Sequence, residues 1–414
     1  MQSLATKWGN MPMKLSRLLA AAAMAASLFA AGHASAAANG PIKIAHIYMK
    51  TGLLAPYGQQ LQRGLELGFD YATHGTDKVL GRKIEILQMD DQGKAGLTRA
   101  LFQQAYGDDK VTMAVGPIFS GLALAVAPIA AQYKKIIMPE GVADSITGKS
   151  YNRYVVRIAR NSSQDAIAQA IAIGGKNTCA ATLAQDYAFG HDGADAFKTA
   201  LTKLGGRLVM EEFLPVKTTD FTAGGERVIN ALKAASGCSG KYIFVIWAGT
   251  ANPFGGLAAL NPQKDGIHIT SGGNILPALA LYKPVVGMQG GAYYYYKLPH
   301  NRVNDWLVKE HFKRYHAPPD FFTCQGFAEA QAIVAAIKRA HSTDTDKLIK
   351  GFEGLRFNSP KGPIYIRPQD HQAMQDMYHF KVALDPKQTW SGGVTLDLVS
   401  VIKASQMHVP IENK

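Results

Sequence analysis

The sequence has 414 residues, of which 47% are hydrophobic and 18% are charged. Its 44 lysines and arginines outnumber its 31 aspartates and glutamates, which gives a formal net charge of +13. The basic residues are scattered and form no run of five or more, which argues against nucleic acid as a partner and favours a solvated surface biased toward anionic solutes. The length is enough for two domains of ordinary size.

The first 37 residues have the pattern of a secretory signal peptide. Lys14 and Arg17 precede an apolar run at 18–31, and an A-x-A site follows at 34–36. The run is shorter than the roughly 20 apolar residues of a permanent membrane span, although an uncleaved N-terminal anchor is the alternative. No comparable run follows, so we expect residues 1–37 to be removed and the mature protein to be soluble in the periplasm.

Three cysteines in an exported chain allow one internal disulfide and leave one thiol. Cys179 begins one apolar run and Cys238 just precedes another, so both lie near matching strand ends if those runs are neighbouring parallel strands. A bridge between them would stabilise the fold by about 4 kcal/mol in the chain-entropy model, and two buried free thiols are the alternative. Cys324 is the odd cysteine, and no adjacent histidine pattern supports catalysis by it.

Apolar strand candidates alternate with amphipathic helix candidates in the part that follows the leader. The strands are apolar throughout rather than half polar, which is typical of a parallel sheet covered by helices on both faces. The predicted strands are 42–49, 84–89, 112–115, 136–138 and 154–158, and the predicted helices are 57–74, 98–106 and 122–133.

The same alternation restarts after Ser163 and predicts a second α/β unit. Its predicted strands are 179–184, 208–213, 242–247 and 267–270, and its predicted helices are 164–173, 193–204, 224–235 and a short one near Leu257. The rest of the chain is predicted to form a strand at 292–296, helices at 303–315 and 327–340, and a closing hairpin of 378–384 and 394–401. Two similar halves predict an α/β fold with two doubly wound parallel-sheet lobes.

No motif in the sequence supports catalysis. Residues 143–150 fit a relaxed P-loop pattern, but a strand is predicted after them, so no helix N-terminus would hold a phosphate there. The G-x-S-x-G, H-E-x-x-H and C-x-x-C patterns do not occur. Four tyrosines at 293–296 could form an aromatic platform, although alternation along a strand favours core packing. We therefore expect no enzyme activity, no metal and no cofactor.

Short motifs spread along the chain carry a resemblance to a known family. They are Ile42-Lys43-Ile44, Thr51-Gly52 followed by Pro56-Tyr57-Gly58, Asp90-Asp91-Gln92, Val115-Gly116 followed by Ser120, Met138-Pro139, Tyr187 with Phe189-Gly190, and Asp220-Phe221-Thr222. In this order and spacing the chain resembles the periplasmic type I solute-binding proteins of the leucine/isoleucine/valine-binding kind. The resemblance implies two lobes that close on a small molecule, no catalysis, and delivery of the ligand to the membrane permease of an ABC transporter.

The resemblance also implies three crossovers between the lobes, near Ile158, Met288 and Met377. They divide the chain into a first lobe of 41–158 plus 289–376 and a second lobe of 159–288 plus 377–414. Ligands of open α/β sheets lie beyond the carboxyl ends of the strands, so the cleft between the lobes is where the site is expected.

The family's amino acid binders hold the α-carboxylate with a serine and a threonine, and the α-ammonium with a glutamate of the second lobe. Ser120 matches the serine, but Val142 stands at the threonine position and Ser271-Gly272 at the acidic position. A buried ammonium without a counter-charge is costly. The resemblance therefore implies a ligand without a free α-amino group.

Large apolar side chains complete the predicted site. Phe189 replaces a tyrosine of the family and Trp247 ends a strand, although either could belong to the core of its lobe. Glu140 is expected to accept a hydrogen bond from a hydroxyl or amide group of the ligand, or to pair with a nearby arginine such as Arg157. The predicted ligand-binding residues are Tyr57, Phe119, Ser120, Glu140, Gly141, Val142, Phe189, Trp247, Thr250 and Gly272.

The sequence thus predicts a monomeric, exported solute-binding protein that closes on an aromatic or otherwise apolar organic acid for an ABC importer. A branched-chain amino acid binder is one alternative. A sensory module that presents its bound state to a chemoreceptor is the other, because its fold and site would be the same. Closure of the hinge would bring the second lobe over the ligand and exclude water.

Overall fold

The computed structural model of the chain describes residues 40–249 and 252–413. The predicted signal peptide and Thr250 lie outside the described residues. Within these two ranges no helix is both long and apolar enough to cross a membrane.

The first lobe is built on a five-stranded sheet whose central strand, β1, is covered by helices. Its elements in chain order are β1 (Ile42–Tyr48), α1 (Ala55–Thr73), β2 (Lys78–Val79), β3 (Arg82–Asp90), α2 (Ala95–Gly107), β4 (Met113–Val115), α3 (Ser120–Tyr133) and β5 (Ile136–Met138). The strand order is β2-β3-β1-β4-β5, and β1 pairs in parallel with both β3 and β4. Ile42, Ile44 and Ile47 of β1 are fully buried, as expected for a strand covered on both faces.

The second lobe contains a four-stranded parallel sheet in the order β7-β6-β8-β9. Its elements are α4 (Ser162–Ile173), β6 (Thr178–Gln185), α5 (Ala188–Lys203), β7 (Arg207–Leu214), α6 (Thr222–Ala234), β8 (Gly240–Ile246), α7 (Phe254–Ala259), β9 (Ile267–Ser271) and α8 (Leu276–Leu279). Strands β6 and β8 are neighbours, so Cys179 near the start of β6 and Cys238 just before β8 meet at the same end of the sheet. They form a disulfide with a Cα–Cα distance of 5.5 Å. Cys324 is a buried free thiol.

The C-terminal part of the chain adds two small antiparallel sheets, one to each lobe. Its elements are β10 (Gln289–Ala292), α9 (Arg302–Tyr315), α10 (Phe321–Ala340), α11 (Thr345–Phe352), β11 (Arg356–Ser359), β12 (Gly362–Ile366), β13 (Ala373–Gln375), β14 (Met377–Leu384), β15 (Val394–Ile402) and α12 (Ala404–Met407). The β11-β12-β13 sheet packs into the first-lobe core through Ile364, Ile366 and Ala373. The β10-β14-β15 sheet packs into the second-lobe core.

Helix α10 lies tightly against α1 and brings its first turn to the cleft. A Cβ on Gly64 would collide with the carbonyl oxygen of Thr323, so only glycine allows this approach. The side chain of Asp320 caps α10 by accepting a hydrogen bond from the Phe321 N–H at 2.7 Å. The helix therefore begins at Phe321 rather than at the predicted residue 327.

Two predicted strands differ from the structure. Residues 154–158 form no continuous strand, because only isolated bridges join Val155 to Ile137 and Arg157 to Gln372. The Arg157 N–H donates to the His371 carbonyl at 3.0 Å as the chain leaves the first sheet. The strand predicted at 292–296 lies earlier in the chain as β10, and Tyr293–Tyr295 are buried beyond its end.

The pairing of β10 affects where the second crossover lies. Because β10 pairs with β14 and Ala292 packs in the second-lobe core, we propose that this crossover follows Ala292 rather than lying at Met288. The remaining lobe boundaries stay as predicted from the resemblance.

Candidate functional site

A cavity of about 110 Å³ lies between the lobes, beyond the carboxyl ends of the strands. The first lobe contributes the residues after β4 and β5 and the first turn of α10, and the second lobe contributes the ends of β8 and β9 and the start of α5. Such strand ends are where ligands bind in open α/β sheets. The aromatic residues lining the cavity are Tyr57, Tyr187, Phe189, Phe244, Trp247, Tyr293, Phe321 and Phe322.

Seven of the ten residues predicted from the resemblance line this cavity. They are Tyr57, Ser120, Glu140, Val142, Phe189, Trp247 and Gly272. Phe119 and Gly141 adjoin it without lining it, and Thr250 lies outside the described residues. Trp247 and Phe189 also pack against the cores of their lobe, so the binding and core roles considered for them are compatible.

Arg160 is a cavity residue that the sequence reasoning did not identify. Its Nε donates to both carboxylate oxygens of Asp165 at 3.0 Å, and the side chain is largely buried. The guanidinium carbon lies 4.7 Å from the ring centre of Phe321 and 5.2 Å from that of Tyr293, which are cation–π distances. Its Nη1 is buried and has no hydrogen-bond partner in the described part of the chain.

A second cation stands behind the same aromatic wall. The Nζ of Lys361 lies 3.8 Å from the ring centre of Tyr293, and Lys361 forms no ion pair within the described ranges. Burial lowers the pKa of Lys361 to about 7. Burial also raises the pKa of Asp165, and the Arg160 guanidinium counteracts that rise. With a pKa of about 7, Lys361 is only partly charged near neutral pH, so the preference of this side of the cavity for an anion rests on the Arg160 guanidinium, whose Nη1 has no partner among the described residues.

Ser120 stands at the first position of α3, where backbone N–H groups and the helix dipole favour negative charge. Its Oγ accepts hydrogen bonds from the N–H groups of Val142 and Ala143, both at 3.2 Å. These two bonds hold the hydroxyl in place and leave its own hydrogen free for another acceptor. Ser120 is thus suited to donate to a carboxylate oxygen.

Glu140 is fully buried and pairs with His46, whose Nε2 lies 3.0 Å from its Oε1. The pairing with Arg157 considered from the sequence is wrong. The Arg157 guanidinium instead donates to the carbonyls of Gly141 and Ala143 and to the side chains of Thr147 and Gln372. Arg157 is fully buried, so these bonds satisfy it within the crossover region.

The two lobes make contact around the cavity. The Tyr57 hydroxyl of α1 accepts the Gly249 N–H at 2.8 Å and donates to the Asn274 side chain at 3.1 Å. The rings of Phe119 and Tyr187 stack across the cleft with centres 4.5 Å apart. The structure therefore shows the lobes closed over the cavity.

The chain belongs to the periplasmic binding proteins, because the model of the family described as periplasmic binding protein matches residues 41–389. The family predicted from the sequence motifs and the two-lobe α/β fold are both confirmed. The chain is a binding protein rather than an enzyme.

Individual relatives cover most of the chain. The crystal structure of an ABC-type branched-chain amino acid transporter from Rhodopseudomonas palustris CGA009 is 51% identical, with a TM-score of 0.81 over 90% of this chain and 100% of that one. A solute-binding protein from R. palustris BisB5, in complex with 3,4-dihydroxybenzoic acid, is 27% identical, with a TM-score of 0.75 over 88% and 98% of the two chains. The Leu/Ile/Val-binding protein homolog 6 of Brucella abortus is 27% identical over 84% of this chain and 90% of its own.

Proposed function

We propose that this protein is the periplasmic binding component of an ABC importer for an aromatic or similarly apolar carboxylic acid without a free α-amino group. The observation that carries the proposal is the buried Nη1 of Arg160, which has no hydrogen-bond partner among residues 40–249 and 252–413 and belongs to a cavity lined by aromatic rings. A ligand carboxylate would accept from Nη1 and from the Ser120 hydroxyl.

The charges in the cavity support an anionic ligand. Its acidic and basic lining residues are Glu140, Arg160 and Asp165. Asp165 already receives two hydrogen bonds from Arg160, and Glu140 is paired with His46. A buried cationic nitrogen without a partner costs free energy that a carboxylate recovers by a charge-assisted hydrogen bond.

The second-lobe wall supports the absence of an ammonium group. Around Gly272, where the family's amino acid binders carry a glutamate, the wall offers Ser271, whose hydroxyl donates to the Val245 carbonyl at 2.9 Å. No carboxylate from the second-lobe sheet lines the described cavity. An α-ammonium would therefore be buried there without a counter-charge, which is unfavourable by several kcal/mol.

The size of the cavity supports a small ligand with one ring. A volume of about 110 Å³ is of the order of the roughly 150 Å³ protein cavity that accepts benzene. The ring would lie against Phe189, Trp247 and Phe322, which line the cavity. The dihydroxybenzoate-bound relative, 27% identical over most of both chains, supports the same ligand class.

A branched-chain amino acid is the second candidate ligand, favoured by the name of the 51% identical structure. Matched pairs of ligands separate the two candidates, because 3-phenylpropanoate and phenylalanine differ only by the α-amino group, as do 4-methylpentanoate and leucine. Isothermal titration of the ligand-stripped mature protein is the measurement, with benzoate and the neutral benzamide as a further pair.

We expect micromolar or tighter binding of at least one amino-free aromatic acid, and binding at least about 30-fold weaker for the amino acid and amide partners. Micromolar binding of leucine or valine, without binding of any aromatic acid, would show that the proposal is wrong.

A further inference from the structure

A chain of hydrogen bonds runs from the surface of α1 to Glu140 in the cavity wall. The exposed carboxylate of Glu66 accepts from Gln62 Nε2 at 2.7 Å, and Gln62 Oε1 lies 2.7 Å from His46 Nδ1. His46 Nε2 lies 3.0 Å from Glu140 Oε1. Gln62, His46 and Glu140 are buried, so water does not replace these partners.

The surface end of this series of hydrogen bonds, at Glu66, determines where its protons lie. Tyr315 donates to the other oxygen of Glu66 at 3.2 Å, so Glu66 acts as the acceptor toward Gln62 as well. The Gln62 amide then presents its oxygen to His46, and the His46 proton must lie on Nδ1. A neutral His46 is left with Nε2 as an acceptor, and the acid proton of Glu140 lies on Oε1 and donates to it.

The protonation of both groups agrees with this assignment. Burial lowers the pKa of His46 to about 4, so the imidazole is neutral at physiological pH. Burial raises the pKa of Glu140, and the nearby Asp91 raises it further, which favours the protonated carboxyl that the hydrogen-bond geometry assigns. Both directions have the same cause, which is the cost of removing a charge from water.

The second oxygen of Glu140 is left without a donor. Oε2 is buried and has no hydrogen-bond partner among the described residues, although Glu140 lines the cavity. Buried acceptors in native proteins nearly always receive a hydrogen bond, so we expect this oxygen to receive one as well. With the proton held on Oε1, Oε2 can only accept.

We propose that Glu140 accepts a hydrogen bond from a hydroxyl group of the ligand, so that the ligand is a hydroxylated aromatic acid. This deepens the proposed function and rests on it. Arg160 and Ser120 are donors and Glu140 is an acceptor, so the cavity distinguishes the two polar ends of such a ligand. An ammonium is a poorer match, because an uncharged Glu140 supplies no counter-charge.

The wild-type protein provides the first test, by titration with benzoate, its three monohydroxy isomers and the corresponding methoxybenzoates. At least one hydroxy isomer should bind about tenfold or more tightly than benzoate, and its methoxy analogue should lose that gain because it has no donor. If no isomer binds more than twofold tighter than benzoate, the inference is wrong while the proposed function stands. If no aromatic acid binds at all, this inference is wrong, and if 4-methylpentanoate does not bind either, the proposed function fails with it.

Two variants of Glu140 provide the second test, read as the ratio of hydroxybenzoate to benzoate affinity. In Glu140→Gln the amide nitrogen can donate to His46 while the amide oxygen replaces Oε2, so the ratio should remain within about threefold of wild type. In Glu140→Met the acceptor is gone and the ratio should fall to about one. A ratio lost in Glu140→Gln, or kept in a folded Glu140→Met, would overturn the assignment. If Glu140→Met does not fold, the wild-type series and Glu140→Gln decide.

Discussion

The two walls of the cavity differ in chemistry. One wall, formed by the first lobe and by the segment just after the first crossover, supplies the Ser120 hydroxyl and the charged or acidic groups of Glu140, Arg160 and Asp165, each held by hydrogen bonds to its own surroundings, and is called the first wall. The second-lobe strand ends supply mainly apolar surface, including Phe244, Trp247 and backbone around Gly272. This division indicates that the first wall recognises the polar groups of the ligand, whereas the second covers its ring and excludes water.

Removing the cation of the first wall should have the largest effect. Arg160→Met keeps much of the contact with Phe321 but deletes the donor, so we expect benzoate affinity to fall about 100-fold or more in isothermal titration. Arg160→Met alone leaves the partly buried Asp165 carboxylate without its partner. The double variant Arg160→Met, Asp165→Asn also removes that carboxylate, so it separates the loss of ligand recognition from the loss of protein stability. Arg227→Met, which removes an arginine paired with Glu212 away from the cavity, is the matched control and should bind as wild type. Wild-type affinity in Arg160→Met would contradict the proposed role of the first wall.

Loosening the contact between the walls should have a smaller effect. Tyr57→Phe removes the hydroxyl that bonds Gly249 and Asn274 but keeps the ring stacked on Phe322 at 4.4 Å. We expect affinity to fall about three- to tenfold, mainly through faster dissociation, because the closed form loses two bonds. Stopped-flow fluorescence would measure the two rates.

Tyr242→Phe is the control for that experiment, since Tyr242 lies in β8 without lining the cavity. An unchanged dissociation rate in Tyr57→Phe would mean that this bridge does not hold the lobes closed.

Buried acids on the first-lobe side make the stability of the protein sensitive to pH. Burial raises the pKa of Glu329, and Glu140 nearby raises it further. The folded state therefore keeps a proton that the unfolded chain releases above about pH 4.3, so stability declines as pH rises toward the folded pKa. His46 acts in the opposite direction, since its pKa is lowered to about 4 and its contribution is complete above about pH 6.5.

Burial also moves the pKa values of Asp144, Asp320 and Lys361 to about 7, so the contribution of Glu329 between pH 6.5 and 8 is measured as a difference between wild type and a Glu329 variant. Glu329→Gln keeps the acceptor for Gln325 Nε2, which lies 3.1 Å from Glu329 Oε1. We expect the wild-type free energy of unfolding to fall across this interval by up to about 1.4 kcal/mol per pH unit more than that of the variant. Urea unfolding at both pH values is the measurement, and equal slopes for wild type and variant would contradict a raised pKa of Glu329.

Much of the architecture was predictable because its signals are local in sequence. Apolar runs of strand length and helical spacing placed β1, β5 and β6 within a few residues of their observed bounds. Two apolar strands of one parallel sheet also explain why Cys179 and Cys238 meet. Missed elements such as α11 and the β11-β12-β13 sheet are short, so each offers only a few residues in which a pattern can show.

The polar side of the cavity was decided by tertiary structure. In the sequence, Arg160 is one of 44 scattered lysines and arginines. Only the fold places it against Phe321, the first residue of α10. The sequence had predicted that this helix starts at residue 327. The partner of Glu140 is also distant in sequence, since His46 lies in β1, 94 residues earlier. The sequence by itself determined the alternating strands and helices, because hydrophobic periodicity depends on near neighbours. The contact of Glu140 with His46 and the packing of Arg160 against Phe321 join residues far apart in the chain, and only the packed structure brings them together.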